Sequence, residues 1–319
     1  MRKVVWSLAC AAAVAGIALH FTVLHAAAPA RIFVTFVSHN EESTSNPPCA
    51  PVLTDRARYL ANRAAVVSLA SDIVDRGATW DFQSEWEYLT KVAAWDDPAA
   101  RASTDGVNII KYLSGLAPDR LVVDAHSHEL RGYNYADVSY LLAQLGVEST
   151  GVVGGFIYTP SSRANWTRFR APVAGSKYRT ATFDALTLWG GGSADHRNDS
   201  TASGIWRPKS ATEFHTDDPA QRLTNIGHYT GDVLSADGAL DLVGRLRRGE
   251  LQPGHMYTAT IMIPQCEIDS NPETVPTVLA IIASLSDAVR NREVVWATMP
   301  DMIRIWRDEY GSVPTVFQP

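Results

Sequence analysis

The chain has 319 residues, 46% of them hydrophobic and 19% charged, enough to bury one large core or two modest ones. Its formal charge is −6, and loss of Arg2 and Lys3 with an N-terminal leader lowers it by two, to −8. That balance, with no stripe of Lys or Arg, argues against polyanion binding, nucleic acid included; the short cluster Arg245, Arg247, Arg248 reads as a solvated helix face.

Residues 1–30 read as a targeting segment. Met1-Arg2-Lys3 is a basic start, residues 4–24 are almost wholly apolar, and residues 25–30 supply small side chains for cleavage. The apolar run approaches the ~20 residues that span a bilayer. Residues 1–30 are therefore expected to be a signal peptide or an uncleaved membrane anchor. Either way the rest of the chain is expected outside the cytoplasm, secreted or in the periplasm or cell envelope. Cys10 falls in this segment, which leaves Cys49 and Cys266. In an oxidising compartment these two form a candidate disulfide, the alternative being two unrelated buried thiols.

Residues 31–37 (RIFVTFV) form a strong buried-strand run that stops at Ser38-His39-Asn40-Glu41-Glu42. A strand opening into His39 and two carboxylates places reactive groups at its C-terminal end, where α/β folds keep their sites. The Ser/Asn/Pro-rich loop 43–51 is long enough to cover such a site. A helix capped by Thr54 runs to Arg76 and ends at Gly77. Residues 78–83 (ATWDFQ) form a short second strand, and Ser84 caps a helix over 85–94. Trp80, Trp86 and Tyr88 are spaced as core residues, although such rings also stack on sugars. A third amphipathic helix covers 104–116.

The strand that follows, LVVDAHSHE over 121–129, holds the clearest chemistry. Side chains i and i+2 of an extended segment fall on one side, so His126 and His128 can converge on one point. Neutral imidazole is the commonest metal ligand, and Asp124 and Glu129 stand close enough to orient the rings. The alternative is a polar loop in which one histidine caps a backbone group. A helix over 135–145 and a strand over 151–158 (GVVGGFIY) complete an alternation that specifies parallel α/β architecture. Regularity is expected to fail over 159–225, an insertion rich in Gly, Ser, Trp, Arg and Asp of the sort that walls or covers a site. Its candidate groups are Arg170, Asp195, His196, Asp199, Trp206, Arg207 and His215, each also readable as an ordinary surface-loop residue. Helix 236–248, strand 256–263, helix 276–289, strand 293–297 and helix 300–309 close the chain.

These features together resemble the polysaccharide deacetylase family of carbohydrate esterases, the NodB-homology group, over most of residues 31–311. VTFVSHNEE stands where that family has a strand ending in two aspartates, one the base and one a metal ligand. DAHSHE followed by NYADVSYLLAQLGV looks like its histidine-pair motif, and Phe169-Arg170-Ala171-Pro172 matches the motif whose arginine orients the base. The stretch TVLAIIASLSDAVRNREVVWATMPDMIRIW is similar to its closing helix, strand and helix. The resemblance implies a distorted (β/α)7-type barrel over 31–319, an α/β fold with a long irregular insertion at about 159–225. The chain departs from the family in three places. No aspartate pair ends the first strand, His126 and His128 are closer in sequence than usual, and TIMIPQCE carries Pro264 and Gln265 where a catalytic histidine is expected.

The leading expectation is an exported metal-dependent hydrolase acting on carbohydrate, a deacetylase of polysaccharide deacetylase type. A divalent cation, with Zn²⁺ first choice, would be held by His126, His128 and Glu41. Glu41 or His39 would accept the proton, and Arg170 would orient the carboxylate or stabilise the oxyanion. The alternatives are a catalytically inactive glycan-binding barrel and an amidohydrolase-type enzyme using the D-x-H-x-H of residues 124–128. Against the last, that motif normally opens its barrel, whereas several elements precede it here.

Overall fold

A computed structural model of the chain describes residues 28–40, 50–154, 166–189, 202–210, 212–229 and 233–318. The strands are β1 (Arg31–Asn40), β2 (Trp80–Ser84), β3 (Leu121–Ala125), β4 (Val152–Val153), β5 (Val173–Ala174), β6 (Thr182–Phe183), β7 (Thr187–Trp189), β8 (Ile205–Trp206), β9 (Thr224–Ile226), β10 (Met256–Met262) and β11 (Val294–Trp296). The helices are α1 (Ala50–Thr54), α2 (Arg56–Asp75), α3 (Trp86–Trp95), α4 (Pro98–Arg101), α5 (Ile109–Leu116), α6 (Tyr135–Gln144), α7 (Asp237–Arg247), α8 (Thr274–Arg290) and α9 (Met299–Asp308).

Parallel pairing runs from β10 to β1, β2 and β3, and separately from β4 to β7 and β9. Two sets of contacts join these sheets. The Asp124 carboxylate of β3 accepts from Ser149 Oγ and from Thr150 N and Oγ1 on the approach to β4. On the other side Thr260 N of β10 donates to the carbonyl of His228, just past β9, at 3.0 Å. The strands β1, β2, β3, β4, β7, β9 and β10 thus follow one another in chain order round a (β/α) barrel. The fold is α/β with a parallel sheet, as the alternation of elements in the sequence leads one to expect.

The barrel is distorted at β1. One edge of β1 is taken by β10 along Arg31–Val37, so the other serves two strands, β11 against Ile32–Val34 and β2 against Phe36–Asn40. Strand alternation sorts the core. Ile32, Val34 and Phe36 face the helices in one apolar cluster, while Phe33 and Val37 face inward with Val152, Trp189, Ile226 and Met256. Met299, Met302, Ile303 and Trp306 of α9 join that inner cluster, so the lower barrel is plugged with apolar side chains. The ionisable groups of the interior gather towards the C-terminal ends of the strands.

Several boundaries differ from expectation for local reasons. Asp55, not Thr54, caps the long helix α2, its carboxylate accepting from Ala57 N at 2.8 Å and Arg58 N at 3.4 Å. The helix expected over 104–116 begins at Ile109, where Asn108 accepts from Lys111 N. The insertion 159–225 is not wholly irregular, for it contributes the barrel strands β7 and β9. Each is only three residues long, too short for a period-2 pattern to stand out. Cys266 is disulfide-bonded; its expected partner Cys49 lies outside the described residues, as do residues 1–27 with the expected leader or anchor. Among the described residues no helix is long and apolar enough to cross a membrane.

Candidate metal centre

The polar rim is built in layers by strand register. His39 of β1 is level with Gln83 of β2, and Gln83 with Asp124 of β3, so all three point inward at one height. Asp81 lies one layer below, level with Val37 and Val122. One layer above come Glu85 and His126, since Ser84 pairs with Ala125 and the His126 amide continues the ladder by donating to the Ser84 carbonyl at 2.9 Å.

Beyond His126 the chain folds back. Glu129 N donates to Ser127 Oγ at 2.9 Å, and the same hydroxyl donates to the Tyr133 carbonyl at 3.3 Å. This turn brings the His128 ring to His126, with their Nε2 atoms 3.2 Å apart and the rings at 77°. Glu85 Oε1 stands 3.6 Å from His126 Nε2 and 3.5 Å from His128 Nε2. Glu85 and His126 are wholly buried, and the His128 side chain is 13% exposed.

These spacings fit a cation. Donors bound tetrahedrally at 2.0–2.2 Å are roughly 3.3–3.6 Å apart, and two imidazoles with one carboxylate form a recognised catalytic donor set that leaves a fourth position open. Glu85 Oε1, His126 Nε2 and His128 Nε2 would hold it. Glu85 is well placed for this because it is the N-cap of α3 yet makes no side-chain capping bond, its carboxylate turning to the histidines instead.

The other expected residues fall as follows. His39 stacks on His126, with ring centroids 3.8 Å apart, and packs edge-on to Trp189, so it lines the same rim without joining the three donor atoms. Glu41 lies outside the described residues. Arg170 is exposed; it donates to the Lys209 carbonyl at 2.6 Å and lies over the Trp166 ring, engaged with the insertion rather than with the histidines. The arginine that reaches the histidine loop is Arg168, which forms a two-pronged ion pair with the buried Glu129. Gln265, at the position where the family resemblance expects histidine, turns to α2. Its amide donates to Asn62, whose own amide donates back to the Gln265 carbonyl at 2.9 Å.

Two rim residues escaped the sequence reading, Glu85 and His228. His228 follows β9 and is buried, its ring 5.9 Å from that of Trp189, whose indole N–H donates to Thr260 Oγ1. The only signal for it was T-N-I-G-H, a strand too short to recognise. In the insertion, Trp206 is buried with its indole N–H on the Phe214 carbonyl, Arg207 pairs with Asp217, and burial lowers the pKa of His215. Asp195, His196 and Asp199 lie outside the described residues.

Under the donor atoms sits a carboxyl pair. Asp81 is pushed well above the ordinary 3.8, first by complete burial and then by the charge of Asp124, with the Gln83 amide opposing. Asp124 is also raised by burial, which its bonds from Thr150 and Ser149 offset only in part. A carboxyl whose folded pKa exceeds its unfolded one stabilises fully below the unfolded value and loses that contribution as pH rises through the folded value. Asp81→Asn has no proton to lose. Its stability relative to the parent is therefore expected to increase as pH rises above about 4, read by urea unfolding, whereas a difference that shrinks with pH would mean an ionised, stabilising Asp81.

Gly154, at the end of β4, lets Gln83 reach its place. A Cβ there would stand 2.4 Å from Gln83 Oε1 and 3.3 Å from Trp189. Gln83 is fully buried and donates to Asp81 Oδ2 at 3.3 Å, so it cannot yield cheaply. Gly154→Ala is expected to cost about 1–3 kcal/mol in chemical unfolding, as overpacking does. A neutral result would show slack in the rim.

Fold and site together define an α/β barrel with a Glu–His–His cluster at the C-terminal rim of its strands. No family model and no curated protein matches the chain. Among solved structures it is similar to a protein of Mycobacterium smegmatis provisionally described as a polysaccharide deacetylase, at 11% identity and TM-score 0.48, over 92% of this chain and 99% of that one. It is similar also to a provisionally described glycoside hydrolase/deacetylase of Parabacteroides distasonis, at 10% identity and TM-score 0.48, over 88% of this chain and 72% of that one. A third is the 4-alpha-glucanotransferase of Thermococcus litoralis, at 10% identity and TM-score 0.47, over 91% of this chain but 42% of that one. These are distant, fold-level likenesses.

Proposed function

We propose that the protein is an exported, metal-dependent hydrolase acting on carbohydrate, and that it removes acetyl groups from N- or O-acetylated sugars. The observation that carries this reading is the convergence of Glu85 Oε1, His126 Nε2 and His128 Nε2 at 3.2–3.6 Å on the polar rim of the barrel. When bound, a divalent cation, with Zn²⁺ suited to these donors, polarises an acyl carbonyl and acidifies water. The chain's own residues supply the remaining work. His39 and His228 flank Trp189 on the same rim and can take up or return a proton at an imidazole nitrogen. Trp189 packs against both rings. Glu41, one residue beyond β1, remains our proposal for a carboxylate acceptor at the site. Export is supported by the N-terminal sequence and by the disulfide at Cys266, a bond that persists in oxidising compartments.

The test is acetate release from acetylated oligosaccharides by the mature protein. Release is expected to stop on dialysis against a chelator and to return with Zn²⁺. Release indifferent to chelation overturns metal dependence, and glycan binding with no acetate release would instead identify a binding barrel.

A further inference from the structure

Adjoining the donor residues in the chain is a column of four side chains that the chemistry above leaves unused. Trp86 follows Glu85 directly, so its Cα lies ~3.8 Å from that of a proposed ligand. Tyr133, five residues beyond His128, lies flat on Trp86 with ring centroids 4.2 Å apart and planes 1° from parallel. A cation covers each end: the Arg131 guanidinium stands 6.0 Å from the Trp86 ring centre, and the Lys177 ammonium 3.9 Å from that of Tyr133. Both cationic residues are exposed, and both rings are half-buried.

The column is held in place from two directions. The loop carrying Arg131 and Tyr133 takes left-handed backbone at Glu129 (φ 57°), Arg131 (φ 52°) and Gly132 (φ 81°), and the Arg168–Glu129 ion pair secures its start. Strain of this kind persists only where surrounding structure enforces it, and it clusters at functional sites. Lys177 is presented just as firmly. The backbone amides of Ser176, Lys177 and Tyr178 all donate to the buried Asp137 carboxylate at 2.8–3.2 Å. That carboxylate also closes the capping box of α6. Arg131 has Glu87 at 3.8 Å as a loose partner, while no ion pair joins Lys177 to a carboxylate among the described residues.

Resting on the hydrolase reading, we propose that Arg131, Trp86, Tyr133 and Lys177 form the substrate-recognition wall of the metal site and select glycans bearing a carboxylate sugar, of uronate type, near the acetyl group. The rings offer apolar edge to a sugar, and the two cations offer charge to its carboxylate. Aromatic stacking preorganises the cations, so less side-chain freedom is lost on binding. The overall charge of −6 disfavours a densely charged polymer, and two cations at opposite ends of a column suit one that is sparsely charged.

Matched acetylated oligosaccharides, one uronate-containing and one neutral, test this in two measurements. Calorimetric binding to the full mature chain is made with and without chelator, and acetate release is followed where it occurs. The unaltered chain is expected to favour the acidic oligosaccharide, the preference fading with added salt. The double variant Arg131→Glu/Lys177→Glu is expected to lower the acidic-to-neutral ratio of affinity, and of kcat/KM through KM, by about fivefold or more, as two exposed charge contacts allow. Metal content in the same preparations separates this effect from a disturbed site. An unchanged ratio in the variant, or no preference in the unaltered chain, overturns the proposal. Charge-dependent binding without any acetate release would leave the recognition wall standing and defeat the hydrolase reading alone.

Discussion

Alanine in place of Glu85, His126 or His128 is expected to weaken metal binding by about a hundredfold or more, because loss of even an outer hydrogen-bond partner of a metal ligand costs 10–100-fold. Equilibrium dialysis against limiting free Zn²⁺, followed by elemental mass spectrometry, reads the loss directly. The unaltered chain should also gain about 2.7 kcal/mol of unfolding stability at a metal concentration a hundred times Kd, and each variant should lose that gain. Glu85→Gln separates charge from volume, since it keeps the side chain's size in a wholly buried position. His39→Ala is the contrasting case: His39 stacks on His126 but lies outside the donor cluster, so its loss should weaken binding less than about tenfold. Equal metal retention by all three donor variants would remove the basis of the hydrolase reading.

The second large effect is expected far from the rim, at the buried ion pair of Arg63 and Asp96. Asp96 Oδ1 accepts from Arg63 Nε at 2.5 Å and from the Tyr59 hydroxyl at 3.3 Å, and Oδ2 accepts from Ile109 N at 2.6 Å. Arg63 completes its bonds to Ser103 Oγ at 3.0 Å and Thr104 Oγ1 at 2.6 Å. The pair therefore ties α2 to the turn after α3 and to the start of α5. Burial, with the charges of Tyr88 and Asp96, drives the Tyr59 hydroxyl above its ordinary pKa, so it stays a neutral donor to Asp96. Arg63→Met strands a buried carboxylate and is expected to cost about 3–5 kcal/mol in urea unfolding. The double variant Arg63→Met/Asp96→Asn removes both charges and should recover a good part of that loss. If the double variant is as unstable as the single ones combined, the pair's worth lies in packing and not in charge.

Much of the barrel was legible because its helices and longer strands carry strong local patterns. RIFVTFV and MYTATIM read as strands, and the alternation of elements announced a parallel sheet. The convergence of His126 and His128 was anticipated, but it arises from a different local device: β3 ends at Ala125, and the turn fastened by Ser127, not strand alternation, brings the two rings together. Glu85 was overlooked because, in sequence, Ser84 is the better helix cap and Glu85 looks like an ordinary first-turn acid. The strand ends one residue later than that reading assumed, and Glu85 becomes the cap itself. Arg168 and Arg170 could not be told apart by spacing. The 3₁₀ turn Trp166–Arg170 sends one to Glu129 and the other to the Lys209 carbonyl.

Residue order alone settled the longer strands and helices, the parallel run of the central sheet, and that two imidazoles stand together, because each depends on neighbours within a few positions. Which carboxylate meets those imidazoles was decided in three dimensions. Glu85 and His126 are 41 residues apart in the chain, and only the pairing of Ser84 with Ala125 lifts them to the same height. Backbone hydrogen bonds between distant strands set that height, and no local pattern records which rung of one strand will face which rung of another.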